Sequence, residues 1–319
     1  MADSEAVLRN LLQTPPRASA PIAYNYLVPN VKGLEKLLEV YKVDNAAGQR
    51  CRESSSTQAN FADPSRAGTG TAPITSTEDP NEMPSVPEGS DHSKTTSDLL
   101  GDQETNHTTE ISIMLGATDS FSRANIHCTM AESLDRARNI VPLAKEHALR
   151  VRAYISVALG CPYEGPDVSP SRVAELARSL LELGVDEVSV ADTTGMGTAV
   201  KTQKLLKALF DAGISPHDLA LHFHDTYGQA LVNVVVGLEN GIRVFDAAAG
   251  GLGGCPFSKG ATGNVSTEDL VHCLESLGMS TGIDIEALSR TGDWISQELG
   301  RPNESRAGKA VLARLAPKS

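Results

Sequence analysis

Outside one long polar segment, short apolar runs alternate with amphipathic stretches six times along the chain. The runs at Ile22–Val28, Glu110–Gly116, Arg150–Leu159, Glu187–Ala191, Leu219–Phe223 and Val244–Ala248 have the length and side-chain content of strands. Amphipathic stretches follow at Val31–Val40, Ala131–Ala148, Pro170–Leu183, Val200–Ala212, Tyr227–Glu239 and Thr267–Leu277, with a last helix over Ile285–Leu299. Ser169 reads as the N-cap of its helix, with Pro170 in the first helical position. Strict alternation leaves few folds open. Consecutive strands must lie parallel, joined by right-handed crossovers whose helices cover the sheet.

Two architectures satisfy that rule, a doubly wound open sheet and a (β/α)8-type barrel. The distribution of polar residues separates them. Asp192, His222, His224 and Cys255 lie at or just past the C-terminal ends of several different strands, which is the habit of a barrel site. A doubly wound sheet would more often carry a glycine-rich phosphate turn after its first strand, and no such turn occurs here. The expected fold is therefore α/β, of the TIM (β/α)8 type, with about six strand-helix units.

Residues 44–109 interrupt the pattern. They are rich in Ser, Thr, Gly, Asp, Asn, Glu and Pro, with almost no aliphatic clusters. Such a segment cannot bury enough apolar area to offset its ordering entropy, and it reads as a disordered insertion within one domain. The expected organisation is a single barrel domain over 1–305 with that insertion, followed by a C-terminal tail at 306–319. A net charge of -12 and an aromatic content of 4% make nucleic acid a poor partner. No run approaches the roughly 18 apolar residues of a membrane span. The five cysteines form no CxxC pair, which argues against a disulfide framework and for a reducing compartment. No signal peptide or Arg-rich presequence opens the chain, and MADSEAVLRNLL reads as a surface helix.

The stretch from Leu221 to Asn264 concentrates the chemistry. His222 and His224 stand at i and i+2, so both imidazoles face one side of a strand and can share a metal ion. Asp225, next in sequence, could orient one of them. Cys255 sits in the glycine-dense run 250–260, whose glycines permit positive φ and close approach to a ligand; beside a metal its thiol could serve as acid or base. Asn264 could lend a carbonyl oxygen to a hard cation. Arg152 and Tyr154 share a face of their strand. Arg152 could grip a substrate carboxylate or form a salt bridge across the interior. Asp192 could hold a ligand or cap the turn Thr193-Thr194-Gly195.

Several segments carry a resemblance: GLGGCPFSKGATGN, HFHDTYGQAL, VALGCPYEG, VADTTGMGTA, LVPNVKG and NIHC. Through them the chain resembles the 3-hydroxy-3-methylglutaryl-CoA lyase family of metal-dependent barrel lyases, over most of 1–43 and 110–305. The resemblance implies cleavage of (S)-3-hydroxy-3-methylglutaryl-CoA to acetyl-CoA and acetoacetate, as in leucine degradation and ketone-body formation. It implies an acyl-CoA as small-molecule partner, a homodimer, and the mitochondrial matrix, with the cytoplasm also open. It implies a divalent cation, Mg2+ or Mn2+, held by His222, His224 and Asn264. Catalytic roles fall to Cys255 and Asp192, and substrate binding to Arg152 and Tyr154. The family's barrel begins with a strand bearing an Arg-Asp pair and a second strand bearing a glutamate, and Met1-Ala2-Asp3 aligns just after the latter, so the barrel is expected to be N-terminally incomplete. Two other readings stay open: an inactive fragment pairing with a complete homologue, and a Claisen-type acyl-CoA synthase of the same superfamily.

Overall fold

The computed structural model describes residues 4–13, 22–42, 107–254 and 263–316. Most of the expected insertion, and Cys255 with its neighbours 256–262, lie outside the described residues. The chain falls into two units, Met1–Pro21 with Glu39–Asn106, and Ile22–Leu38 with His107–Ser319. Within the first, α1 (Ser4–Gln13) is an amphipathic helix carrying an Arg9–Glu5 ion pair one turn apart.

The second unit is built on a sheet of six parallel strands in sequence order: β1 (Ile22–Leu27), β2 (His107–Gly116), β3 (Arg150–Ser156), β4 (Glu187–Asp192), β5 (Leu219–Phe223) and β6 (Phe245–Asp246). The sheet curls as a half-barrel. Helices follow the strands: α2 (31–42) after β1, α3 (Asp119–Ile126) and α4 (Met130–Glu146) after β2, α5 (Pro170–Glu182) after β3, α6 (Ala199–Asp211) after β4, α7 (Ala230–Glu239) after β5. Then come α8 (Thr267–Ser276), α9 (Ile285–Glu298) and α10 (Arg306–Leu315). The core lies between sheet and helices, where Ile111, Val151, Val188, Leu219 and Leu221 of the strands meet Val173, Leu180, Leu206 and Leu209 of the helices, all buried. No described helix is long and apolar enough to cross a membrane.

Most boundaries fall where periodicity puts them. Ser169 caps α5, its side chain accepting from Arg172 N, with Pro170 at the helix start. Thr129 and Glu132 form a reciprocal capping box on α4. Four differences are instructive. β2 begins at His107 rather than Glu110, because β1 pairs with it from Ile22 opposite His107. α7 begins at Ala230 rather than Tyr227, since Gly228 takes φ 68° and Asp225 Oδ1 accepts Ala230 N at 3.0 Å. β6 is two residues long, because Ala248 bridges instead to Ser266 and the chain then turns through positive φ at Gly250 and Gly251.

The fourth difference is the C-terminal segment. Residues 306–315 form a helix, where the sequence reads as a tail. Its first turn is held from outside: Asp269 of α8 accepts from Ser305 Oγ at 3.0 Å, Arg306 N at 3.2 Å and Ala307 N at 2.6 Å. A carboxylate at a helix N-terminus satisfies orphan donors and complements the dipole. Replacing Asp269→Ala should cost about 1–2 kcal/mol and selectively speed amide exchange over 306–315; unchanged protection there would show that packing alone holds α10.

Candidate active site at the C-terminal ends of the strands

Side chains alternate across each strand, and the concave face of this sheet is polar. Asn25, Glu110, Ser112, Arg152, Tyr154, Glu187, Ser189, His222 and Asp246 face one another there. Asn25 bridges Ser112 and Glu110. Arg152 Nε pairs with Glu187 at 2.8 Å and its Nη2 with Asp246 Oδ1 at 2.8 Å. Ser189 Oγ donates to Asp246 Oδ2 at 2.9 Å, and His222 Nδ1 lies 3.3 Å from the same oxygen. The Arg152 guanidinium also sits 5.1 Å from the Tyr154 ring centroid, and Tyr154 meets the His222 ring edge-on at 6.1 Å.

Above this layer a cavity of about 540 Å3 opens toward the C-terminal strand ends. Tyr154, His222, His224, Asn264 and Gly253 line it together with Met114 and Phe121. The two imidazole centroids are 5.4 Å apart and tilted by 48°, a spacing at which two rings can converge on one ion. Asn264 reaches the same wall because its backbone bridges His224 antiparallel. Its Nδ2 donates to Leu252 O at 2.9 Å, and its Oδ1 is buried with no hydrogen-bond partner among the described residues. A buried carbonyl oxygen without a partner, on a residue that lines the same cavity as two imidazoles, fits a cation. Among the described residues, no three His, Cys, Asp or Glu side chains cluster as a metal site, so the donors here are two nitrogens and an amide oxygen. A larger groove of about 670 Å3, lined by residues of α7, β6 and α8, is walled mainly by aliphatic side chains and lies apart from this chemistry.

The structure brings His222, His224, Asn264 and Tyr154 to one cavity, and it treats the other expected residues differently. Arg152 does not stand free for a substrate carboxylate; its guanidinium is engaged by Glu187 and Asp246, the interior salt bridge that the sequence also allowed. Asp192 does not line the cavity. Glu187, Ser189 and Ala191 point inward, so Asp192 points outward, to the helix side. Its carboxylate accepts Gly197 N at 2.8 Å and Thr194 Oγ1 at 3.4 Å, which caps the turn 192–197. Asp225 caps α7 and lies 3.6 Å from Arg306, leaving the imidazoles to other partners. Cys255 is outside the described residues, and the glycines before it adopt the positive φ expected of that loop, at 62°, 65° and 95° for Gly250, Gly251 and Gly253.

Asp246 and Glu268 are the residues that motif reading missed. Asp246 carries no motif signal; its part in the site emerges only once β6 lies beside β5, where Asp246 pairs opposite His222. Glu268 is fully buried and accepts Gly250 N through both oxygens, at 2.9 and 3.0 Å, so it anchors the glycine loop. A Cβ on Gly292 would come 2.0 Å from Glu268 Oε1, which is why α9 carries glycine there.

Burial and neighbours set the charge states. Burial pushes the Tyr154 phenol up to about 12, and the Asp246 carboxylate adds to the push. Burial also raises Asp246, but the His222 hydrogen bond and the Arg152 charge outweigh it and hold the carboxyl below its ordinary value. Burial raises Glu187 despite Arg152 and Arg150. Asp192 rises from 3.8 to about 6 through burial, against hydrogen bonds from Gly197 and Thr194.

The Asp192 shift gives a signed expectation. Its folded value lies above its unfolded one, so its stabilising contribution is complete below about 3.8 and is lost as pH rises through about 6. That contribution is at most about 3 kcal/mol. Urea unfolding of Asp192→Asn should show a flatter stability profile between pH 4 and 7 than the unsubstituted protein; parallel profiles would mean that the carboxyl titrates normally.

The HMGL-like family matches residues 92–295. The chain is 48% identical over 206 residues to a 3-hydroxy-3-isohexenylglutaryl-CoA/hydroxymethylglutaryl-CoA lyase of Pseudomonas aeruginosa, covering 64% of this chain and 68% of that protein. It is also 48% identical over 206 residues to the mitochondrial hydroxymethylglutaryl-CoA lyase of Arabidopsis thaliana, covering 65% of this chain but 44% of the plant protein. The crystal structure of a hydroxymethylglutaryl-CoA lyase from Pseudomonas aeruginosa superposes with a TM-score of 0.72 at 35% identity, over 98% of this chain and 80% of that one.

Proposed function

The chain belongs to the HMGL-like family, and from that premise we propose that it is a carbon–carbon lyase cleaving (S)-3-hydroxy-3-methylglutaryl-CoA to acetyl-CoA and acetoacetate. The observation that carries this reading is the convergence of His222, His224 and the open Asn264 Oδ1 on one cavity at the C-terminal strand ends, the face on which barrel enzymes keep their chemistry. Relatives named for this reaction support it at 48% identity.

His222, His224 and Asn264 would hold a divalent cation, Mg2+ or Mn2+. When bound, it supplies Lewis-acid polarisation of the substrate's hydroxyl and carboxylate oxygens. In the reaction a base takes the proton of the tertiary hydroxyl. The bond from the carbinol carbon to the methylene beside the thioester breaks, and its electron pair moves onto the thioester as an enolate. The hydroxyl carbon becomes the ketone of acetoacetate, and a proton delivered to the methylene completes acetyl-CoA. Cys255, five residues after Gly250 in sequence, would assist that proton transfer. Tyr154 keeps its proton at neutral pH, so its phenol is a hydrogen-bond donor on the cavity wall. Arg152 and Asp192 act as positioning residues, the first through Asp246 and the second through the 192–197 turn. A homodimer is the proposed assembly. The matrix is the proposed compartment, on the plant relative's name.

Incubation with the substrate and Mg2+ or Mn2+ should release acetoacetate and acetyl-CoA in equal amounts. His222→Ala and Asn264→Ala should each lower kcat/KM by about a thousandfold, the loss of several kcal/mol of charge stabilisation, with unchanged circular dichroism. A purified protein that releases no acetoacetate with either ion would sink the lyase reading.

A further inference from the structure

The Asp246 carboxylate meets three side chains on the concave face. Its Oδ1 forms an ion pair with Arg152 Nη2 at 2.8 Å, and its Oδ2 receives Ser189 Oγ at 2.9 Å and faces His222 Nδ1 at 3.3 Å. Asp246 stands in a 2.8 Å ion pair with Arg152, and a carboxylate in such a pair only accepts hydrogen bonds. His222 Nδ1 must therefore carry the proton that lies between them, and Nε2, the other ring nitrogen, presents its lone pair. The edge-on contact with Tyr154 restrains the ring plane.

We infer that Asp246 is a positioning residue that locks His222 in its Nδ1–H tautomer and so aims the Nε2 lone pair into the cavity, with Arg152 and Ser189 holding Asp246 in place. The catalytic consequence rests on the lyase reading; the tautomer does not. Neutral imidazole in water favours the opposite tautomer, so the locked state is a measurable departure. The arrangement also dictates what an amide would do at this position. Arg152 only donates, so the oxygen of an asparagine must take the Oδ1 place. Its amide nitrogen then faces His222 Nδ1, which can only accept, and the proton moves to Nε2. An isosteric change thereby closes the lone pair to a cation, by the logic of an aspartate-to-asparagine change behind a catalytic histidine.

The test uses the full chain labelled with 15N-histidine, free of metal, at a pH above imidazole titration. Long-range proton–nitrogen correlation reads each tautomer, and loss of one signal set in His222→Gln assigns it. The expected result is Nδ1–H at His222 in the unsubstituted protein and mainly Nε2–H in Asp246→Asn. Mn2+ added to the two proteins should bind about 10–100-fold more weakly to Asp246→Asn. Nε2–H at His222 in the unsubstituted protein overturns the inference. So does an unchanged tautomer in a folded Asp246→Asn protein. Absence of acetoacetate release alongside the expected tautomers would overturn the lyase reading alone and leave this inference supported.

Discussion

The ion pair between Arg152 and Asp246 ties the concave face of this protein together. β3 and β6 are separated by two intervening strands, so a flat sheet would set them roughly 14 Å apart. The guanidinium nevertheless meets the carboxylate at 2.8 Å while its other edge meets Glu187. That contact exists only because the sheet curls. Both partners are largely removed from water, so each needs the other: a buried charge without its partner is costly, whereas a fully matched set is tolerated. Arg152 pairs with both Glu187 and Asp246, and Ser189 adds a hydrogen bond to Asp246, so the charges under the cavity are held against one another.

The chemistry at the rim inherits its order from this layer. His222 receives its Nδ1 partner from Asp246, across a strand pair, while its sequence neighbour Asp225 caps α7. Asn264 is brought to the imidazoles by a bridge to His224, and its amide is oriented by Leu252 O, which takes the nitrogen and leaves the oxygen without a hydrogen-bond partner among the described residues. Behind that rim, Glu268 fixes Gly250 and Asp269 caps α10, so two adjacent acidic residues of α8 secure the glycine loop on one side and the C-terminal helix on the other.

Much of the architecture was legible from periodicity. The six strands and the helices behind them follow from alternating apolar runs, and Leu219–Phe223 falls on its predicted residues. α3 is short and polar, capped by Thr118, and gives little periodic signal. α10 depends on a carboxylate contributed from another helix, which no local pattern reveals. The site was legible in part. His222, His224 and Asn264 line one cavity, and the i, i+2 spacing of the two histidines is what places their rings on one face of β5. Asp192 was open to a simple check, since inward Glu187 and Ser189 fix the parity of β4 and turn Asp192 to the helix side.

Sequence alone determined the parallel strand-helix alternation, the polar interval within it, and the residue types gathered at the strand ends. These depend on side-chain period and on local backbone preference, which are properties of short segments. Tertiary structure decided which charges meet. Arg152 could equally have faced a substrate or an acidic partner, and the curl of the sheet settled it by delivering Asp246 from three strands away. Which aspartate serves His222 was likewise a matter of register between β5 and β6, where Asp246 lies opposite the imidazole. Pairings of this kind join residues distant in sequence, and their strength depends on burial that only the folded sheet creates.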